Sequence, residues 1–120
     1  MDDLAFAAAV DDDFCYLTTR GRRSGQPHEI EIWFALDGHT LFFLAGGRDG
    51  SDWVRNVVAD PAVTVRVRDH TCAGRGRVVD EDAESARARE LVFDKYQPRY
   101  SGSLADWRMR SLPVAVDLEP

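Results

Sequence analysis

The chain has 120 residues, of which 44% are hydrophobic and 30% are charged, and its formal net charge is -6. That length fits one domain with one hydrophobic core, and the acidic excess excludes non-specific binding to DNA or anionic lipid. Apolar runs such as Ala5–Val10 are far shorter than the roughly 20 residues that cross a bilayer. Met1-Asp2-Asp3 lacks the basic start of a signal peptide. We expect a cytoplasmic protein with no membrane span and no nucleic-acid partner.

Short strands and turns are predicted through the first half of the chain. Residues 1–13 are predicted to be a tail or short helix, and residues 14–120 a single domain. Phe14–Thr19 is apolar and β-rich, which indicates a strand. Arg20–Pro27 contains the glycines and the proline that are typical of a turn.

The clearest predicted strand is His28–Leu36, because its side chains alternate strictly in character. One face would carry Ile30, Ile32, Phe34 and Leu36, and the other Glu29, Glu31, Trp33 and Ala35. Asp37-Gly38 then predicts a hairpin, with Thr40–Ala45 returning as the paired strand.

The second half contains the predicted helices. Ser51 or Asp52 can cap a short helix that ends at Asp60-Pro61. Its apolar residues at helical spacing are Trp53, Val54, Val57 and Val58. Glu81–Tyr96 indicates a longer helix, and Leu104–Arg110 one or two more helical turns. The longer helix has a predicted apolar stripe of Ala83, Ala86, Leu91, Val92 and Tyr96. Further strands are predicted at Ala62–Arg68, Thr71–Val79 and Leu112–Leu118.

This order of elements predicts a mainly β domain with helices. About six short antiparallel strands would curl around one core as a small barrel, accompanied by two or three helices. The first helix would close one end of that barrel.

A basic segment is the first candidate site. Arg20, Arg22 and Arg23 lie within four residues of an acidic chain, flanked by hydroxyl residues and glycines. The planar guanidinium group of arginine can donate two parallel hydrogen bonds to phosphate oxygens. Glycines allow backbone N–H groups to approach an anion closely. The Gly-Lys-Ser/Thr ending of a P-loop is absent. The segment is therefore either an anion-binding loop or a solvated basic turn.

A glycine-rich segment, Ala45–Asn56, is the second candidate site. It joins a strand end to a helix start, and helix N-termini favour anions. Arg48 adds a positive charge there. The alternative is an ordinary loop-to-helix junction in which Trp53 is a core anchor.

Aromatic residues near the C-terminus form the third candidate site. A phenol in a pocket can donate a proton or hydrogen bond to a developing oxyanion. Core packing explains Tyr96 and Trp107 equally well, so Tyr100, in a loop rich in Pro, Gly and Ser, is the better candidate. The scattered histidines have no metal-ligand spacing, so no metal site is predicted, and both cysteines are predicted to be buried thiols.

Three segments together resemble the deazaflavin-dependent nitroreductase family. Thr18–Pro27 is similar to its T-T-x-G-R-[KR]-[ST]-G-x-P segment. Asp52–Val65 is similar to W-x-x-N-L-x-A-x-P-x-V-x-V, and Leu112–Pro120 to I-P-V-x-x-x-E-P. The resemblance covers roughly Tyr16 to Pro120, in order and with similar spacing.

The resemblance implies a split β-barrel related to the pyridoxamine-phosphate oxidase fold, which binds coenzyme F420. Reduced F420 (F420H2) would pass a hydride to a nitro-compound, quinone or enone. The residues that the resemblance assigns to the cofactor phosphate are Arg22, Arg23 and Ser24. Those that would line the deazaflavin ring or complete the site are His28, Glu29, Ile30, Glu31, Ile32, Trp33, Leu44, Ala45, Gly46, Gly47, Arg48, Trp53 and Asn56. Tyr100 would be the substrate-side tyrosine and the catalytic residue.

The sequence departs from the family pattern on the ring-facing strand. Family members often have a basic residue where His28 stands and a proline where Glu31 stands. These changes leave the acceptor open. Two alternative functions remain: a non-catalytic F420 carrier, and a related reductase that uses FMN. Either a monomer or a homodimer fits the sequence.

Overall fold

The structure is a computed structural model that describes residues 10–119. In this range it contains seven strands and three α-helices. In chain order these are β1 (Cys15–Arg20), β2 (Pro27–Ile32), β3 (Ala35–Asp37), β4 (Thr40–Ala45), α1 (Asp52–Ala59), β5 (Ala62–Val67), β6 (His70–Val78), α2 (Asp82–Tyr96), α3 (Ala105–Arg110) and β7 (Leu112–Leu118). The predicted order of strands and helices is confirmed except at His28–Leu36, where two strands replace the one predicted. None of the helices in residues 10–119 has the length and apolar character needed to cross a bilayer.

The strands form one antiparallel sheet in the order β2-β1-β5-β6-β7-β4-β3. Its two edge strands, β2 and β3, are neighbours in the chain and are joined by Trp33 and Phe34 alone. Since each residue spans at most about 3.6 Å, the two edges must approach each other at this connection. The sheet therefore curls into a half-barrel, which confirms the predicted mainly β barrel class.

The prediction of one strand over His28–Leu36 was wrong. β2 pairs with β1 and β3 pairs with β4, so the chain changes partner at Trp33-Phe34 and the strand count becomes seven. The predicted alternation nevertheless holds across the break. Ile30, Ile32, Phe34 and Leu36 contact the barrel interior, whereas Trp33 and Ala35 contact a second apolar cluster.

The apolar residues form two main layers and not the single core that the length suggested. The first fills the barrel and includes Leu17, Phe43 and Val65. The second lies between α2 and the outer surface of the β3-β4-β7 side, and includes Phe42 and Val92. Because β4 is covered on both faces, five of its six residues are buried.

The buried stripe of α2 differs from the prediction. Ala88, Val92 and Tyr96, spaced four residues apart, are its buried residues, whereas Ala83 and Ala86 are exposed. Glu81 caps the helix by accepting hydrogen bonds from the N–H groups of residues 83 and 84. The first turn of α2 is therefore anchored by its cap and contributes no buried side chain.

Helix α1 packs closely against the barrel. A side chain at Gly76 of β6 would lie 2.6 Å from Val57 of α1, so the glycine permits this close approach. Val54 and Val57 are buried as predicted, but Val58 is 68% exposed. The packing fixes where the first turn of α1 meets the end of β1.

The predicted N-terminal tail or helix lies outside the described residues up to residue 9. Residues 10–13 form no helix and are held by side chains of the body. Arg68 binds Asp12 through two hydrogen bonds of 2.6 and 2.8 Å, and Arg99 binds Asp13 at 2.8 Å.

Candidate functional site

A compact loop joins β1 to β2 and presents the basic segment. The N–H of Gly21 donates to the carbonyl of Gln26, and the N–H of Gly25 to the carbonyl of Gly21, both at 2.8 Å. Gly25 has φ +73°, a conformation that side chains disfavour. These turns place Arg22, Arg23 and Ser24 side by side at the end of the barrel.

This loop, the start of β2 and the first turns of α1 enclose a cavity of about 660 Å³. Its lining residues are Thr19, Gly21, Arg22, Arg23, Ser24, Pro27, His28, Glu29, Ile30, Asp52, Trp53 and Asn56. The structure thus brings together eight of the residues singled out by the sequence, from two segments 30 residues apart. Four further lining residues, Thr19, Gly21, Pro27 and Asp52, were not assigned to the cofactor, although all four lie within the family-like segments.

Arg22 is tethered to α1. Its backbone N–H and its Nη1 both donate to Oδ1 of Asn56, at 3.2 and 2.9 Å, and its Nη2 lies 3.2 Å from Oδ1 of Asp52. Nδ2 of the buried Asn56 donates to Oγ1 of Thr19 at 3.2 Å. Asn56 therefore joins the loop, β1 and α1, and it sets the orientation of Arg22.

Arg23 differs from its neighbour. Its side chain is exposed and forms no ion pair or hydrogen bond within residues 10–119. Ser24 Oγ accepts a hydrogen bond from the N–H of Gln26 at 3.1 Å and lies 3.5 Å from Nε2 of His28. The cavity therefore presents one fixed guanidinium, one free guanidinium, a hydroxyl and an imidazole.

The rest of β2 lies away from this cavity. Glu31 accepts a hydrogen bond from the Tyr16 hydroxyl at 3.2 Å on the outer surface of the sheet. Ile32 packs against the barrel interior. Of the predicted ring-lining strand, only residues 28–30 line the cavity.

The predicted second wall, Leu44–Arg48, also lies elsewhere. Leu44 and Ala45 are buried, and a side chain at Gly46 would lie 3.4 Å from the Trp107 indole nitrogen. Arg48 lines a separate cleft of about 540 Å³ beside α1, where its Nη1 donates to the carbonyl of Arg110. Gly47 precedes Arg48 in the chain and is not among the residues that line this cleft. The two clefts share Arg22.

Four aromatic residues gather beneath the loop that follows α2. Trp33 stacks on Tyr96 at 4.4 Å between ring centroids and meets Tyr100 and Trp107 edge-on at 6.0 and 5.6 Å. Tyr100 is 48% exposed, and its hydroxyl has no hydrogen-bond partner in the described part of the chain.

Tyr96 cannot take the role predicted for a substrate-side phenol. Its hydroxyl donates to the carbonyl of Asp13 at 2.6 Å and accepts from the N–H of Phe34 at 3.0 Å. Burial raises the pKa of this phenol to about 12. Tyr96 is therefore a structural residue, and Tyr100 is the phenol free to reach a ligand.

The main cavity has a basic, hydrogen-bonding half and an apolar half made by Ile30 and Trp53. A ligand that joins a planar ring to a phosphate matches both halves. The fold and the cavity thus define a split-barrel protein suited to a flavin-like cofactor.

The chain has the sequence features of a known family. The chain matches the family described as F420H(2)-dependent quinone reductase over residues 8–119 and belongs to it. The chain is therefore an F420-dependent oxidoreductase with F420 as its cofactor, which confirms the expected family resemblance.

Solved structures support the fold. A structure described as an F420 reductase is 26% identical, with a TM-score of 0.62 over 94% of this chain and 92% of that one. An F420-H2 dependent reductase is 22% identical, with a TM-score of 0.69 over 90% and 95%. A pyridoxamine 5'-phosphate oxidase-like protein from Listeria innocua is 17% identical, with a TM-score of 0.71 over 98% and 93%.

Proposed function

We propose that this protein reduces a small organic acceptor, such as a quinone, nitro-compound or enone, with reduced F420. The observation that carries the proposal is the cavity of about 660 Å³ between the basic loop and α1. It combines an exposed, unpaired guanidinium at Arg23 with an apolar wall at Trp53. That combination suits a cofactor with an anionic tail and a flat ring.

Different residues of the cavity would bind the phosphate and the ring of the cofactor. Arg22, Arg23 and Ser24 would hold the phosphate, with Arg22 oriented in advance by Asn56 and Asp52. Trp53, itself held edge-on by Phe43 at 6.1 Å, would form a firm wall for the ring. F420, when bound in its reduced form, supplies the hydride.

Tyr100 would complete the reaction on the acceptor side. Two-electron reduction of a quinone or enone adds a hydride and a proton, and negative charge develops on the acceptor oxygen. The exposed Tyr100 hydroxyl can donate a hydrogen bond or proton to that oxygen. Its ring rests edge-on against Trp33, which limits its orientations.

Parallel titrations with F420 and FMN test the proposal, followed by a panel of quinones, nitro-compounds and enones with F420H2. We expect tighter binding of F420 and turnover with at least one acceptor class. Tighter binding of FMN would contradict the cofactor assignment. F420 binding with no turnover of any acceptor would instead identify a cofactor carrier.

A further inference from the structure

Lys95, near the end of α2, is the only lysine among the 15 lysine and arginine residues of the chain. Arginine keeps its proton in proteins, whereas the amine of a lysine can lose it and become a nucleophile. The Lys95 side chain is half-buried and lines neither of the two clefts beside α1. The fold therefore places the one side-chain amine of this protein away from the proposed cofactor site.

The amine lines a cleft of its own, between α2 and β3. This cleft has a volume of about 470 Å³, which is within the range of small-molecule sites. Much of its wall is apolar and is made by Val10, Ala35, Leu36, Leu91 and Pro98. None of its lining residues lines the cofactor cavity. We call this space the lysine cleft.

No carboxylate neutralises the amine in the described part of the chain. Asp11 and Asp94 line the lysine cleft, but neither forms an ion pair with Lys95. Nζ instead donates to the carbonyl of Phe34 at 2.9 Å and lies 3.7 Å from the centroid of the Phe34 ring. An ammonium group has three N–H groups. After losing one proton, the amine can therefore still donate to Phe34, and it has a free lone pair.

Arg99 places a second cation beside the amine. Its guanidinium lies 5.9 Å from the centroid of the Tyr96 ring, and Nζ of Lys95 lies 5.1 Å from the same centroid. Asp13 holds Arg99 through a contact of 2.8 Å. Two neighbouring cations favour the loss of a proton from the one that can lose it, which is Lys95.

The other groups around Lys95 do not reverse this effect. Burial, followed by the charge of Arg99, lowers the pKa of Lys95 from its ordinary value of 10.5 to about 8. The carboxylates of Asp11 and Asp12 act in the opposite direction and are smaller causes. The thiol of Cys15 is neutral near pH 7, because burial raises its pKa to about 12. A useful fraction of the amine is thus uncharged near neutral pH.

A desolvated lysine beside a second cation is an arrangement in which lysines form Schiff bases with carbonyl compounds. We propose that the lysine cleft binds an aldehyde or ketone with an apolar body, and that Lys95 joins it covalently. The Nζ lone pair adds to the carbonyl carbon. The two hydrogens of the amine then leave with the carbonyl oxygen as water, and a carbon–nitrogen double bond remains. The step needs no oxidant, reductant or further reactant.

Reductive labelling tests the proposal. The protein is incubated at pH 7 with benzaldehyde and cyanoborohydride, which reduces a Schiff base to a stable secondary amine. Arg87→Lys supplies a matched control, because it introduces an exposed amine on the same helix. Within this one variant we expect Lys95 to be labelled about tenfold faster than the amine at position 87, since more of Lys95 is neutral at this pH. Mass spectrometry of peptides measures both rates.

Two further measurements separate a binding site from general reactivity. The labelling rate of Lys95 should saturate as the benzaldehyde concentration rises, because the aldehyde first occupies the lysine cleft. Adding Arg99→Gln to the control variant should slow labelling of Lys95 severalfold and leave the rate at position 87 unchanged, because the second cation is lost.

Equal labelling of the two amines would overturn the proposal. A rate at Lys95 that rises linearly with benzaldehyde at every concentration would overturn it as well, since no aldehyde would then be bound before the reaction. Neither measurement requires F420, so the outcome is independent of the proposed reduction.

Discussion

Arg22 and Arg23 are adjacent in sequence but occupy different environments. The sequence offers no folding reason for two neighbouring arginines, but the structure gives one for Arg22, whose backbone and side chain both bind Asn56. Arg23 has no such contact in the described residues. Arg22 therefore has a structural role beside its proposed role in binding the cofactor, whereas Arg23 is available for a ligand alone.

The first prediction separates these roles. Charge-assisted hydrogen bonds contribute about 1.5–3 kcal/mol, so Arg23→Ala should weaken F420 binding about ten- to a hundredfold and leave the melting temperature unchanged. Arg22→Ala should weaken binding and also lower the melting temperature, because the guanidinium hydrogen bonds to Asn56 and Asp52 are lost. Fluorescence titration and thermal unfolding measure the two effects.

A cofactor fragment that lacks the phosphate and glutamates provides the control for Arg23. If Arg23 binds the anionic part, Arg23→Ala should bind the fragment as well as the unmodified protein does. An equal loss of affinity for fragment and whole cofactor would show that Arg23 acts through the fold.

The second prediction concerns Tyr100. Its hydroxyl is free and exposed in the described structure, so Tyr100→Phe removes only the proposed donor. We expect kcat to fall about ten- to a hundredfold, with an unchanged dissociation constant for F420, because the contact forms in the transition state. An unchanged kcat with every accepted substrate would exclude Tyr100 from the mechanism.

The sequence motifs predicted which residues line the cavity more successfully than they predicted what each residue does there. Asn56 was expected at the cofactor site, and it does line the cavity, but its amide is occupied by Arg22 and Thr19. These partners lie 34 and 37 positions away in the chain. Nothing in the local pattern around Asn56 indicates them, because they depend on how α1 packs against β1.

At the scale of single elements, the break between β2 and β3 shows what periodicity can predict. Alternation correctly placed Ile30 and Phe34 toward the barrel interior. It could not reveal that the pairing partner changes between them, because both halves keep the same inward and outward pattern. Strand boundaries of this kind are set by pairing between distant segments.

A network around Arg77 connects α2 to the sheet. Nη2 of Arg77 binds Glu84 of α2 at 2.8 Å, and its Nε binds Asp117 of β7 at 2.7 Å. Thr40 of β4 donates to the same Asp117 at 3.0 Å. These hydrogen bonds lower the pKa of both carboxyl groups below their ordinary values of 4.5 and 3.8.

The third prediction follows from that shift. A carboxyl group with a lowered pKa in the folded state stabilises the fold above its unfolded pKa and loses this effect as the pH falls through its folded pKa. Arg77→Met should therefore reduce the free energy of unfolding by about 1 kcal/mol at pH 7, a value limited by solvent screening. The deficit should shrink as the pH falls below 4.5.

Urea unfolding of both proteins between pH 7 and pH 3 measures this difference. Arg87→Met provides a matched control, since Arg87 contacts Asp37 through one longer contact of 3.4 Å. A deficit for Arg77→Met that is the same at every pH would mean that packing, and not charge pairing, is the contribution of Arg77.

At the scale of the whole molecule, the barrel closes where the chain crosses from β2 to β3. The backbone of Phe34 has no strand partner at this crossing, and α2 supplies both of its hydrogen bonds. Tyr96 accepts from its N–H at 3.0 Å, and Lys95 donates to its carbonyl at 2.9 Å. Burial lowers the pKa of Lys95 to about 8. The helix thus holds the edge strands of the sheet together.

The overall architecture was predictable only in part. The order of elements, their antiparallel strands and the family motifs together indicated the split barrel. The closure was not predictable, because it depends on a tyrosine that binds Asp13, 83 residues away, as well as Phe34. From the sequence, Tyr96 looked equally suited to the core and to the site.

The last prediction tests this closure through Tyr96→Phe. The change keeps the ring stacked on Trp33 but leaves the N–H of Phe34 and the carbonyl of Asp13 without their partner. A buried group left unsatisfied costs about 1–3 kcal/mol, so we expect a loss of that size in the free energy of unfolding. Hydrogen exchange at the Phe34 amide should accelerate by more than the global loss explains. Tyr100→Phe is the matched control and should change neither quantity. Unaltered exchange at Phe34 in Tyr96→Phe would show that the barrel closes without this hydrogen bond.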